Sequence, residues 1–223
     1  MKIAEIFYSI QGEGKLAGVP SVFVRTSGCN LRCSWCDTPY TSWKPEGADM
    51  PVQEILDRVK GFNARHAVIT GGEPMIARGV GQLSQGLREA GTHITIETAG
   101  TVFAPVECDL MSISPKLANS TPEGEWAERH DKLRIRVDVL RRLMEVCDYQ
   151  LKFVVSLPDD IGEIRDIVSR TGAEADKVIL MPEGIEPVRL REKAVWIAEL
   201  CKVEGFRYGP RLHVDIWGDR RGV

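Results

Sequence analysis

The 223-residue sequence has no long apolar run, no repeat, no low-complexity segment and no excess of either charge. A bilayer-spanning helix needs about 20 apolar residues, and no stretch of that length occurs. Residues 1–11 contain Glu5 and lack the unbroken apolar core of a secretion signal, which predicts a cytoplasmic protein. Lys and Arg number 29 against 32 Asp and Glu, a net charge of −3. That balance offers no field to gather nucleic acid or an anionic membrane. The P-loop, nucleophile-elbow and HExxH signatures are missing, so their chemistries are not indicated. A full eight-unit βα barrel takes roughly 250 residues and would be cramped here. No linker splits the chain, so residues 1–223 read as one domain.

What is present alternates between two periods. Ser21–Arg25, Ala67–Thr70, His93–Thr98, Asp109–Ser114, Leu151–Val155 and Val178–Met181 read as strands, and Arg211–Trp217 as a last one. Helical spacing links Val52, Ile55, Leu56 and Val59 after Pro51, and Leu83, Leu87 and Ala90 before Gly91. It also links Leu133, Val137, Leu140 and Met144. Ile161, Ile164 and Val168 follow a start signal at Asp159–Asp160, and Leu190, Ala194, Ile197 and Cys201 mark the last long helix. Alternating strands and helices predict an α/β fold on a mainly parallel sheet. Given the length, the expectation is an incomplete (β/α) barrel with about six core strands. Such sheets bind ligands at the carboxyl ends of their strands.

In a cytoplasmic protein six cysteines do not read as a disulfide framework. Three lie together, in Cys29-Asn-Leu-Arg-Cys33-Ser-Trp-Cys36, on the exit from a strand. Thiolates are soft ligands for zinc, copper(I) or iron–sulfur clusters. A structural zinc wants four ligands, and the next histidine is only at His66. Three thiolates suit a cubane cluster with one iron left open; a zinc completed by a distant His or Cys is the alternative. Cys147 and Cys201 sit at core spacing on predicted helices, and Cys108 reads as a core residue too.

The C-x3-C-x2-C run, with Trp35 before its last cysteine, resembles the radical S-adenosylmethionine (SAM) enzymes. The resemblance implies a 4Fe-4S cluster on Cys29, Cys33 and Cys36 whose open iron chelates SAM, reductive SAM cleavage, and hydrogen abstraction by a 5′-deoxyadenosyl radical. Thr70-Gly71-Gly72-Glu73-Pro74, at a strand end, looks like the GGEP segment that meets the SAM amino group. Glycines there let backbone approach a ligand closely. Ser114-Pro115-Lys116 and Met181-Pro182-Glu183 resemble further SAM-contacting segments, and Trp35, Cys36 and Asp37 would bracket the same site.

The runs from Ile6 to Gly14, Gly18 to Pro20, Phe23 to Arg25, Gly28 to Thr38, Glu97 to Gly100 and Leu212 to Val223 resemble the 7-carboxy-7-deazaguanine synthase family. Ala99 stands where many members carry Asn or Ser. That family resemblance implies a lyase that contracts the ring of 6-carboxy-5,6,7,8-tetrahydropterin and releases ammonia, with SAM regenerated and Mg²⁺ required. It assigns the pterin to Ile10, Gln11, Gly12, Glu13, Arg25, Thr70, Glu97, His213 and the Val223 carboxylate, and Mg²⁺ to the Thr38 hydroxyl. A guanidinium suits a substrate carboxylate, and a hard cation wants oxygen. The resemblance also implies a flavodoxin or ferredoxin reductant and a homodimer, with no nucleic-acid or membrane partner. Two other readings stay open: a glycyl-radical activase acting on a partner protein, and a non-enzymatic iron–sulfur or zinc sensor.

Overall fold

The structure, a computed structural model, describes residues 1–223. A hairpin opens it: β1 (Lys2–Ile10) runs antiparallel to β2 (Pro20–Thr26). There follow α1 (Pro39–Ser42), β3 (Ala48–Asp49), α2 (Val52–Gly61), β4 (His66–Gly71), α3 (Val80–Glu89), β5 (His93–Thr98) and β6 (Leu110–Ile113). Then come α4 (Ala127–Arg134), α5 (Val137–Met144), β7 (Asp148–Val155), α6 (Asp160–Thr171), β8 (Val178–Pro182), α7 (Pro187–Glu204), β9 (Arg207–Tyr208) and α8 (Leu212–Trp217). The sheet is open, in the order β3-β1-β2-β4-β5-β6-β7-β8-β9. Neighbours from β2 to β9 are parallel, and β1 and β3 add antiparallel pairs at one edge. The six long parallel strands match the incomplete barrel expected. β1 was not foreseen, because its side chains are mostly half-buried and give no clean alternation.

Strand period sends successive side chains to opposite faces, and here the two faces differ in kind. One carries Val22, Val24, Ile69, Ile94, Ile96, Met111, Ile113, Leu151, Phe153, Val155 and Leu180, all in the main core. Against it pack Ile55 and Val59 of α2, Leu83 and Leu87 of α3, Leu140 and Leu143 of α5, Ile164 and Ile167 of α6, and Ile197 of α7. The other face carries Arg25, Thr70, Glu97, Ser112, Gln150 and Lys152. Its polar members stay in line across the sheet because the register pairs Arg25 with Thr70, Glu97 with Ser112 and Ser112 with Gln150.

Three local expectations are corrected. Arg211–Trp217 is not a strand: 212–217 is helical. The edge beyond β8 is already taken by β9, and of the alternating residues Leu212, Val214 and Ile216 only Val214 is buried, while Ile216 is 52% exposed. The helical run from Leu133 to Met144 is broken, with Ile135 extended and Arg136 non-helical between α4 and α5. The two halves serve different cores: Leu133 packs beside the cysteine loop, Leu140 and Leu143 under the sheet. Cys147 lies in the turn before β7 rather than on a helix, whereas Cys201 is buried on α7 and Cys108 is buried before β6. No helix is long and apolar enough to cross a membrane.

Candidate active site

A cavity of about 840 Å³ opens on the polar face and at the carboxyl ends of the parallel strands. The cysteine loop leaves β2 at one end of it. Cys33 is buried, Cys29 and Cys36 are half-buried, and all three gather around Leu31, Ala99 and Leu133. Other chemistry holds the loop in shape. Arg32 donates to the carbonyls of Cys29 (2.8 Å) and Leu31 (2.7 Å), and Trp43 Nε1 donates to that of Cys33 (3.0 Å). The Arg32 amide donates to His130 Nδ1 at 3.2 Å. Burial pushes His130 down to about 4, which keeps the ring neutral and able to accept.

No three Cys, His, Asp or Glu side chains converge tightly enough to grip a single ion. That weighs against the lone-zinc alternative. A cubane cluster is wider than one ion, and three thiols on one loop, packed about Leu31 and Ala99 with no fourth ligand, fit its donor set. Burial pushes the Cys29 thiol up to about 11 and the Cys33 thiol up to about 12, so loading must displace protons.

Gly71-Gly72 has to be glycine. Gly71 has φ +130°, and a Cβ there would meet the Thr26 carbonyl at 2.1 Å; one on Gly72 would meet the Gly28 carbonyl at 2.2 Å. The turn is thereby pressed onto the start of the cysteine loop. Glu73 points inward and is fully buried. Its carboxylate accepts from the Met75 amide (3.1 Å), Thr98 Oγ1 (2.7 Å) and the Ala99 amide (2.8 Å). The Glu73 side chain thus staples the turn to β5 and is unavailable to a ligand. Burial raises its pKa in spite of those donors.

Ile10, Gln11, Gly12, Glu13, Arg25, Trp35, Cys36, Asp37, Thr38, Thr70, Gly72, Glu97, Ser114, Lys116, Met181, Glu183, His213 and Val223 all line the cavity. Cys29, Cys33, Glu73, Pro115 and Pro182 do not. Pro182 closes β8, and Pro115 is buried behind Ser114. On the side nearer the loop, Lys116 Nζ donates to Ser114 Oγ (2.7 Å) and stands 5.8 Å from the Trp35 ring centre. The Trp35 indole is fixed by donating to the Asn119 carbonyl at 3.0 Å. Thr38 Oγ1 lies 3.9 Å from Cys36 Sγ.

Deeper in, Glu97 accepts from Thr70 Oγ1 (2.8 Å) and Gln11 Nε2 (3.2 Å). Lys152 donates to Glu13 at 2.5 Å, and its Nζ lies 3.9 Å from Glu97. Arg211 donates to Glu13 (3.1 Å), to the Gly184 carbonyl (2.5 Å) and to Asp37. His213 packs against Gly12, where a Cβ would sit 2.0 Å from its Nδ1. Burial alone would raise Glu13, but the Lys152 and Arg211 cations outweigh it and hold the carboxyl far below the usual range. Burial would likewise lower Lys152, yet Glu13 and Glu97 keep it above its ordinary value. Burial lowers His213 against the pull of Glu13, leaving the ring neutral.

Lys152 and Arg211 escaped the sequence reading. Lys152 left one signal, a lysine among apolar neighbours in Leu151–Val155. Arg211 left none, since its partner Glu13 is 198 residues away.

The radical SAM superfamily model matches residues 23–169, well over half of the chain. With the three-cysteine loop at the strand ends of an open βα sheet, that match defines a radical SAM enzyme. A 7-carboxy-7-deazaguanine synthase from Rhodopirellula baltica is 44% identical, covering 99% of this chain and 88% of its own. One from Halobacterium salinarum is 47% identical, covering 98% and 91%. The crystal structure of QueE from Escherichia coli superposes with a TM-score of 0.73 at 25% identity, covering 95% of this chain and 94% of that one. The chain belongs to the 7-carboxy-7-deazaguanine synthase family.

Proposed function

We infer that the chain converts 6-carboxy-5,6,7,8-tetrahydropterin to 7-carboxy-7-deazaguanine, contracting a ring and releasing ammonia, a step of queuosine and deazapurine biosynthesis. Product and ammonia together have the composition of the substrate, so the reaction consumes no net oxidant or reductant. What carries this reading is one arrangement: the cysteine loop, through Trp35, Cys36 and Asp37, and a floor of paired carboxylates and cations open onto the same cavity. When bound, a 4Fe-4S cluster and SAM supply the electron and the carbon radical.

The rest is positioning by the chain's own residues. Cys29, Cys33 and Cys36 would hold the cluster. Trp35, Cys36, Asp37, the Gly72 backbone, Ser114, Lys116, Met181 and Glu183 would frame SAM; Glu73 serves by fixing the turn. Arg25 would take the substrate carboxylate with its free guanidinium edge, and Thr38 would offer Mg²⁺ an oxygen beside it. Glu97, held by Thr70 and Gln11, faces the cavity with acceptor oxygens for the pterin's N–H groups. Glu13, neutralised by Lys152 and Arg211, is held as an ionised acceptor. Ile10, Gly12, His213 and Val223 complete the wall. We further propose one catalytic domain over 1–223, a cytoplasmic homodimer, and flavodoxin or ferredoxin as reductant, without nucleic-acid or membrane partners.

The test is anaerobic reconstitution with iron and sulfide, then incubation with the carboxy-tetrahydropterin, SAM, Mg²⁺ and a reductant. The expected result is 7-carboxy-7-deazaguanine with an equal amount of ammonia. A competent cluster that cleaves SAM yet yields no deazaguanine would refute the reading.

A further inference from the structure

We propose that Glu5 is a positioning residue that aims Arg25 into the cavity and, through Arg221, fastens segment 218–223 across its mouth. The proposal rests on the substrate assignment above. Its ground is one carboxylate shared between two elements. In the β1–β2 hairpin, Glu5 lies opposite Arg25, and the register slips between Ile3 and Glu5. Such irregularities re-aim a side chain. Glu5 Oε1 accepts from Arg25 Nε (2.6 Å) and from Tyr40 OH (2.9 Å), while Oε2 accepts from Arg221 Nε at 3.2 Å.

Binding Arg25 by Nε leaves its two terminal nitrogens for a ligand. Arg221 is clasped from three sides: by Glu5, by Glu46 at 3.2 Å, and by the Tyr40 ring with its guanidinium carbon 3.9 Å from the centre. Glu46 is itself placed by the neighbouring Gly47, at φ +108°, where a Cβ would strike the Ile3 carbonyl at 2.2 Å. Gly218, at φ +70°, ends α8 and turns the chain back so that residues 218–223 line the cavity. Burial raises Tyr40 to about 12, so it remains a proton donor to Glu5. The side chain of Glu5 is 14% exposed against 46% for Arg221, which makes Glu5 the fixed post and Arg221 the part that can let go.

The experiment compares wild type with Glu5→Gln, Arg221→Ala and Arg221→Lys in reconstituted enzyme, reading KM for pterin and for SAM separately. Losing one charge-assisted contact is expected to raise the pterin KM about tenfold in Arg221→Ala, and further in Glu5→Gln because Arg25 is loosened too. KM for SAM should stay within about twofold, and Arg221→Lys should recover part of the loss. Limited trypsin cleavage after Arg220, read without ligand, should be faster in Glu5→Gln than in wild type. Unchanged pterin KM, equal loss for pterin and SAM, or equal cleavage rates would each overturn the clasp. If the wild type makes no deazaguanine, the substrate assignment falls, and the trypsin comparison still decides the clasp.

Discussion

Lys152 and Phe153 are neighbours in one strand and belong to different chemistries. Phe153 is fully buried in an aliphatic layer beneath α5, α6 and α7. Lys152, 5% exposed, ends between two carboxylates at the floor of the cavity. The same opposition runs from β2 to β7: apolar side chains hold the helices on one face, and Arg25, Thr70, Glu97, Ser112 and Lys152 face the cavity on the other, with apolar Phe23 and Val154 between them. A closed parallel barrel would fill its interior with packed apolar side chains. Leaving the sheet open and short lets the inner face keep its charges, provided each is paired. The pairing of Glu13 with Lys152 and Arg211, and of Glu97 with Thr70 and Gln11, meets that condition.

Substitutions on the two faces should have separable effects. Cys33→Ser, at the cavity end, should remove the iron and all activity yet leave folding cooperative, since Arg32 and Trp43 still hold the loop backbone. Iron content and thermal unfolding check it, and retained cluster iron with activity would contradict it. Thr98→Val acts where the faces join. It strips one donor from buried Glu73 and leaves the Gly100 amide unpaired, for an expected loss of about 1–3 kcal/mol in denaturant unfolding. The smallest effect is confined to acid. Glu13 sits below its ordinary 4.5 in the folded state, so its pairs contribute in full above that pH and fade as pH falls toward the folded value. Wild type should therefore lose stability below about pH 4.5 relative to Glu13→Gln; parallel pH curves for the two would show that the pairing adds nothing.

Much of this was legible in advance because it is local. Period and β-branching marked the six parallel strands, and the cysteine spacing marked the loop. Gly71-Gly72 announced a turn, but its glycines, which read as room for a ligand's close approach, admit instead the backbone of Thr26 and Gly28. What escaped depends on distant partners. Glu73 reads as a ligand residue in its motif, yet Thr98 and Ala99 claim its oxygens. Arg211 carries no local mark of its bond to Glu13. The 211–217 stretch alternates like a strand, but β9 already occupies the sheet edge it would need.

The division between the faces is tested most directly by making Lys152→Met and Phe153→Ala and measuring stability and turnover per folded molecule in both. Phe153→Ala should lose about 3–5 kcal/mol of stability while the folded enzyme turns over within a few-fold of wild type. Lys152→Met should lose less stability and about 100-fold or more in kcat/KM, a barrier change of about 2.7 kcal/mol. Turnover lost with Phe153 and kept without Lys152 would contradict the account.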